Sequence, residues 1–190
     1  MSSLISCYAN DNDSQLSDAA PDSLDELICT ISQLVKYDKE TGQFHWVVTS
    51  RRGMKSPYGK IAGSRGASHG YLSITLHGRK YLAHRLAWLL TYRELPNYID
   101  HANRDKLDNR IQNLRKCTMS QNIANSKKSR ANTSGFKGVS WSSEMRKWEA
   151  ALNHSSRRKV LGYFDTAQEA ANVRDEKARE LFGEFYHDAR

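Results

Sequence analysis

Asp100 and His101 stand side by side, and the chain then adds Asn103, Asn109, Asn113 and Asn122 over a short, turn-rich stretch. One carboxylate, one imidazole and several amides are the groups that phosphodiester hydrolysis needs. A divalent cation must offset charge building on the phosphate and the leaving oxygen, and a base must take a proton from the attacking water. Asp100 offers a hard anionic oxygen and Asn122 a neutral carbonyl oxygen, both suited to Mg2+ or to another hard divalent cation such as Mn2+. His101 has the one nearby side chain whose ordinary pKa, about 6.5, makes it an effective base near neutrality. Asn113 can hold the imidazole or its loop through the side-chain amide. The expectation is therefore a catalytic pair, His101 and Asn113, with Asp100 and Asn122 on the metal. Zinc is not expected, because Cys7, Cys29 and Cys117 lie far apart without a CxxC pair.

Secondary-structure signals place these groups on a compact unit. Asp100 and His101 fall on a strand, where neighbours point to opposite faces unless the strand ends there. The loop from Ala102 to Arg110 leads to a second strand near Asn113–Lys116. Thr118 and Gln121 then form a capping-box pattern that puts Asn122 in the first turn of a helix. Strand, loop, strand and helix make a ββα unit. Upstream, Ser23 and Glu26 form another capping-box pattern before Leu24, Leu27, Ile28, Ile31, Leu34 and Val35 at helical spacing. A turn at Tyr37–Gly42, a strand at Gln43–Val48 and a basic loop carrying Arg51 and Arg52 follow. Strands are predicted near Tyr71–Leu76 and Lys80–Ala83, then a helix over His84–Arg93 that Pro96 stops. His84 reads as structural or peripheral, explained by its apolar helix.

The segments Tyr81-Leu82-Ala83-His84-Arg85-Leu86-Ala87-Trp88, Ile99-Asp100-His101, Asp108-Asn109-Arg110, Asn113-Leu114 and Gln121-Asn122-Ile123-Ala124-Asn125 together resemble the HNH homing-type endonucleases common in phages. The resemblance extends back to Tyr37–Trp46 and covers roughly residues 23–126. It implies that His101 is the general base, that Asp100 and Asn122 bind one divalent ion, and that Asn113 supports the site. The last motif position is Asn122, where many HNH nucleases carry His; the homing-type branch has Asn there.

Beyond residue 135, alternating runs at Lys137–Trp141, Lys147–Leu152 and Lys159–Phe164 precede an Ala-rich helix. That helix has Asp165 or Thr166 as its cap, Glu169 in its first turn and Gly183 at its end. Phe136-Lys137-Gly138-Val139, Lys147-Trp148-Glu149-Ala150 and Leu161-Gly162-Tyr163-Phe164-Asp165-Thr166-Ala167-Gln168-Glu169-Ala170-Ala171 are similar to the APETALA/ethylene-response-factor (AP-two/ERF) DNA-binding domain. The resemblance implies a three-stranded sheet laid in the major groove. Lys137, Arg146, Lys147, Arg157, Arg158 and Lys159 are then candidates for the DNA-facing side, joined by Arg51 and Arg52 from the first half. Trp141 is a candidate for sugar or base contact, and Trp148 for the core. Ser140 and Ser142 replace arginines of the plant factors, which favours phosphate-dominated binding or a different target sequence.

Charge supports a polyanionic partner. Residues 1–35 hold six acids and no Lys or Arg, so residues 36–190 carry all 29 basic residues against 15 acids, a net +14. Double-stranded DNA is the expected partner. No run approaches the roughly 18 apolar residues of a membrane span, and no signal-peptide pattern opens the chain. A cytoplasmic protein with reduced thiols is expected, in the host cell if phage-encoded. The expected fold is α+β: a disordered acidic leader over 1–22, an HNH (ββα-metal) nuclease domain over 23–126, a basic linker over 127–135, and over 136–190 a small three-stranded antiparallel sheet with one helix. A single catalytic set favours a monomer that nicks one strand per visit. The competing possibility is a non-catalytic DNA-binding regulator built on the AP-two/ERF-like domain.

Overall fold

The computed structural model of the chain describes residues 23–48, 58–66, 70–129, 131–155 and 157–187. The acidic leader and the pair Arg51-Arg52 lie outside the described residues. What is described is a mixed α/β architecture of four α-helices and several small sheets, divided into two compact units, Met1–Lys116 and Cys117–Arg190.

In the first unit, α1 (Leu24–Ser32) starts where Ser23 accepts a hydrogen bond from the Glu26 amide, 3.1 Å. The apolar spacing runs on to Leu34 and Val35, yet the helix ends at Ser32. Val35 instead pairs with Trp46, opening the hairpin of β1 (Val35–Tyr37) and β2 (Phe44–Trp46). Pairing with β2 and burial of Val35 outweigh a further helical turn. A three-stranded sheet, β3 (Ser64–Arg65), β4 (Leu72–Leu76) and β5 (Arg79–Leu82), follows in antiparallel order. His77 and Gly78 both take positive φ between β4 and β5, the tight reversal whose twist matches a two-residue hairpin. Helix α2 (Ala83–Tyr92) begins directly after β5. It ends with Arg93 in the left-handed conformation, before Pro96 can act. Leu27, Ile31, Phe44, Ile74, Leu86, Leu89, Ile99 and Leu114 form one apolar core under these elements. Against that core lie β6 (Tyr98–His101) and β7 (Leu114–Cys117), a two-stranded sheet.

The second unit opens with α3 (Met119–Asn125), closed by the capping box foreseen at Thr118 and Gln121. Strands β8 (Val139–Ser142), β9 (Lys147–His154) and β10 (Arg157–Phe164) form an antiparallel sheet in that order. Helix α4 (Ala167–Phe182) is capped by Thr166, with Glu169 reciprocating. Its alanines 170 and 171 pack on Val139 and Ala150, while Ala178 and Phe182 join Ala124 and Phe185 in a second cluster. Small side chains let the helix approach the sheet closely. The segment before β8 is polar in composition but well tied: the Ser134 hydroxyl donates to the Phe136 and Val139 carbonyls, and the Asn132 amide donates to the Phe136 carbonyl.

One glycine makes the hairpin and the loop before β7 fit together. Gly42 has φ +73°, and a Cβ there would lie 2.4 Å from the Arg110 nitrogen and 2.6 Å from the Asn109 carbonyl carbon. Both are backbone atoms, so nothing flexible can give way. Gly42→Ala is expected to destabilise the protein by about 1–3 kcal/mol. The check is the midpoint of urea unfolding; an unchanged midpoint would show that the loop relaxes freely.

Candidate active site

Strand β6 delivers Asp100 and His101 together into the protein. Three consecutive residues, Ile99, Asp100 and His101, are buried there, so both polar groups are enclosed although they alternate in direction. The strand ends at His101, and the chain returns through a loop whose polar groups bond one another. Asn103 donates from its side chain to Asp108, 2.7 Å, and Asp108 takes the Arg110 guanidinium at 2.8 and 2.6 Å. That guanidinium, followed by burial acting the other way, leaves the Asp108 carboxyl below its ordinary range.

Asn113 is the brace of this loop. Its Oδ1 accepts from the Asn103 backbone amide at 3.0 Å, and its Nδ2 donates to the Asp108 carbonyl at 2.8 Å. The Ala102 amide donates to the Asn113 carbonyl, 2.8 Å, so side chain and backbone both close the loop. The predicted strand start at Asn113 is in fact a 3-10 turn over Ile111–Asn113, which aims the amide inward before β7 begins.

Asn109 reaches the imidazole. It is only 1 % exposed, and its Nδ2 donates to the Leu107 carbonyl at 3.1 Å. This fixes the amide so that Oδ1 faces His101 Nε2, 3.4 Å away. An amide oxygen can only accept, so Nε2 carries the proton and Nδ1 is the basic nitrogen. Burial holds the His101 pKa below its ordinary 6.5, opposed by the Asn109 contact and by the charges of Asp100, Asp105 and Asp108. The hairpin secures Asn109 in turn: Tyr37 donates its hydroxyl to the Asn109 carbonyl at 2.7 Å and stacks on Phe44 with centroids 4.7 Å apart. Burial first, then the Asp38 charge, raises the Tyr37 pKa far above ordinary, keeping the phenol a donor.

Asp100 is not left to compensate its own charge. Arg115 on β7 donates from Nε at 2.9 Å and approaches with a terminal nitrogen at 2.8 Å, both at Oδ2. Two further rings surround His101: His84 with centroids 5.1 Å apart and Tyr71 at 5.9 Å. Among the described residues, no three His, Cys, Asp or Glu side chains gather as a metal cluster. In the first unit the Asp100 carboxylate is a hard anionic donor, of the kind that suits a hard cation that retains water; Asn122 stands on α3 of the second unit.

Sequence reasoning missed four neighbours of Asp100 and His101. Asn109 was visible in Asp108-Asn109-Arg110 but reads locally as a turn residue. His84 reads as structural or peripheral because Arg85 and its apolar helix explain it, Tyr71 is hidden by its place in an ordinary strand pattern, and Arg115 by the fact that only strand pairing sets it beside Asp100.

In the second unit, alternation sorts the candidate DNA contacts. Val139, Ala150 and Phe164 face α4, so the paired Trp141 and Trp148 share that side, as do Leu152 and Lys159. Trp141 is still 53 % exposed and meets Trp148 edge to face at 5.3 Å. The opposite face carries Ser140, Ser142, Lys147, Glu149 and Arg158. Arg158 pairs with Glu149, and Lys147 with Asp165 at 3.2 Å. The Lys137 ammonium donates to the carbonyls of Ile123, Ala124 and Ser126 at 2.5–2.8 Å, neutralising the carbonyl end of α3. Arg146, in the β8–β9 turn with φ +52°, and Arg157 and Lys159 on β10 are exposed and carry no ion pair with the described residues.

These features coincide with a family. Residues 81–124 match the family model described as HNH endonuclease. Protein 3.8 of Escherichia phage T7 is 33 % identical over 88 residues, which span 46 % of this chain and 72 % of that protein. The chain belongs to one family with this phage protein, and its residues 81–124 are an HNH endonuclease domain. No solved structure matches it. The family match stops at residue 124, and nothing in these comparisons supports an AP-two/ERF domain beyond it.

The brace at Asn113 has a measurable consequence. In Asn113→Ala the Asn103 amide and the Asp108 carbonyl lose their partner, which should cost about 1–3 kcal/mol. Urea unfolding measures it; a loss below about 0.5 kcal/mol would show that solvent replaces both bonds.

Proposed function

We propose that this protein is a divalent-cation-dependent endonuclease that hydrolyses phosphodiester bonds in double-stranded DNA, one strand per encounter. The observation that carries this is the committed tautomer of His101: Asn109 holds Nε2–H, and Nδ1 is left basic in a buried setting. Nδ1 takes a proton from water, and the resulting hydroxide attacks phosphorus as the bond to the leaving oxygen breaks. That oxygen is protonated from solvent. Asp100, oriented by Arg115, supplies the anionic ligand for the cation. The resemblance noted in the sequence adds the Asn122 amide. A bound Mg2+ or Mn2+ would offset charge on the phosphate and leaving oxygen. Asn113 acts on the loop and not on the reacting atoms. The phage origin of the relative supports a host-cell setting.

The second unit contributes phosphate contacts. What supports this is three exposed cations that carry no ion pair among the described residues, Arg146, Arg157 and Lys159, together with the basic balance of the chain beyond residue 35. The same observations support DNA binding of limited base specificity, since Arg158 and Lys147 on the outer face of the sheet are already paired. A DNA-reading fold of the AP-two/ERF kind is consistent with the three strands and helix seen there. A purely regulatory protein is not favoured, because binding alone gives no reason to bury a base with its tautomer set.

Supercoiled plasmid incubated with protein and Mg2+ should become open-circular, with EDTA abolishing the reaction. His101→Ala should cut about 10²–10⁴-fold more slowly while binding DNA as before. Binding without cutting by the wild type, under every cation, would sink the enzyme. The pH profile tests the base directly. A lowered pKa keeps His101 neutral to more acidic conditions, so activity should fall only below the ordinary 6.5. An acid limb centred above that value in kcat/KM would assign the base elsewhere.

Arg157→Ala with Lys159→Ala should weaken DNA binding and make the slope of log K against log salt shallower by about 2, one for each phosphate that the variant no longer neutralises. Titration at several salt concentrations measures it, and an unchanged slope would remove both residues from the interface.

A further inference from the structure

His84 is the second residue of α2 and is 6 % exposed. Its ring lies 5.0 Å from Tyr71 and meets His101 edge-on at 5.1 Å and 72°. Tyr71 and His101 are themselves 5.9 Å apart, so the three rings form a closed triangle with the base at one corner. Lys106 covers the outer side of Tyr71 at 4.4 Å from its ring centroid.

Packing accounts for the ring but not for its chemistry. His84 Nδ1 is buried and has no hydrogen-bond partner among the described residues. A phenyl ring would fill the same space, make the same edge contact, and bury no unsatisfied nitrogen. Retaining the nitrogen there opposes stability unless it finds a partner, and a buried polar atom without one among the described residues calls for an explanation. The neighbour of this nitrogen's ring is the base of the proposed reaction, where oxygen atoms of water and phosphate must come. Burial pushes the His84 pKa down to about 3, helped by the charges of His101, Arg85 and Lys106, so the ring is neutral wherever the enzyme works. A neutral imidazole adds no charge beside His101 and competes for no cation. It offers one directional hydrogen bond.

We propose that His84 is a further residue of the catalytic centre, whose Nδ1 hydrogen-bonds an oxygen brought in with the DNA, either of the scissile phosphate or of the attacking water. The inference rests on the assignment of His101 as base. His84 then fixes the line of attack while His101 moves the proton, two imidazoles with separate duties on adjacent elements. In the free protein this bond is not formed, in keeping with the way catalytic hydrogen bonds tighten only around bound substrate.

Isosteric replacements separate nitrogen from ring. His84→Phe keeps the ring and loses both nitrogens. His84→Asn keeps a polar atom near the position of Nδ1, and His84→Gln keeps one near Nε2. His84→Phe should melt at or above the wild-type temperature and cut at least about 10-fold more slowly at saturating DNA. His84→Asn should recover part of the lost rate and His84→Gln none. His84→Phe cutting at the wild-type rate would overturn the proposal and leave His84 as packing. So would equal rates for Asn and Gln, a comparison that stands even if the Phe variant fails to fold. The parallel His101→Ala reaction keeps the two claims apart. If that variant cuts normally, the base assignment falls; if it is inactive while His84→Phe is fully active, only the role of His84 falls.

Discussion

A buried imidazole can act as a base only when a neighbour decides which of its nitrogens keeps the proton. In this chain the neighbour is Asn109, and much of the first unit is arranged around keeping that amide in one orientation. The Leu107 carbonyl takes one end of the amide, so the other end must be the oxygen presented to His101. Tyr37 holds the Asn109 backbone, Gly42 lets the hairpin approach it, and Asn113 braces the loop between the strands. None of these groups needs to touch substrate. Each removes a degree of freedom from the group that would.

The carboxylate beside His101 obeys the same logic with opposite sign. An enclosed anion without a partner would be costly, and Arg115 on the paired strand compensates it at a single oxygen. In the second unit, cations are occupied in a comparable way. Lys137 serves the carbonyl end of a helix, Arg158 serves Glu149 and Lys147 serves Asp165. A positive net charge therefore overstates the number of cations that face outward. The distinction matters for nucleic-acid binding, where only unpaired cations release counterions from DNA.

How much of this was readable from residues alone varied with the range of the interaction. Helix caps are local: Ser23 and Thr118 stand where the Ser/Thr-x-x-Glu/Gln pattern put them, and of the two candidates Asp165 and Thr166 it is Thr166 that caps α4. The strand alternation before α4 was equally plain. Leu34 and Val35 misled because helical spacing continues through them, while pairing of Val35 with Trp46 involves a strand beyond the next turn. Lys137 is a DNA-facing candidate through the AP-two/ERF resemblance; the carbonyls to which its ammonium donates belong to an earlier helix, a contact that no local pattern announces.

Residue type and spacing alone placed an acid and an imidazole side by side at the end of one short strand, and Asn113 just before the strand that pairs with it. They also determined a second, three-stranded unit closed by an Ala-rich helix. Only the tertiary structure decided which nitrogen of His101 keeps its proton, that Arg115 compensates Asp100, and that the His84 ring lies against His101. Those facts depend on distances between groups far apart along the chain, and such distances are set by the shared core that the elements bury, not by any local pattern.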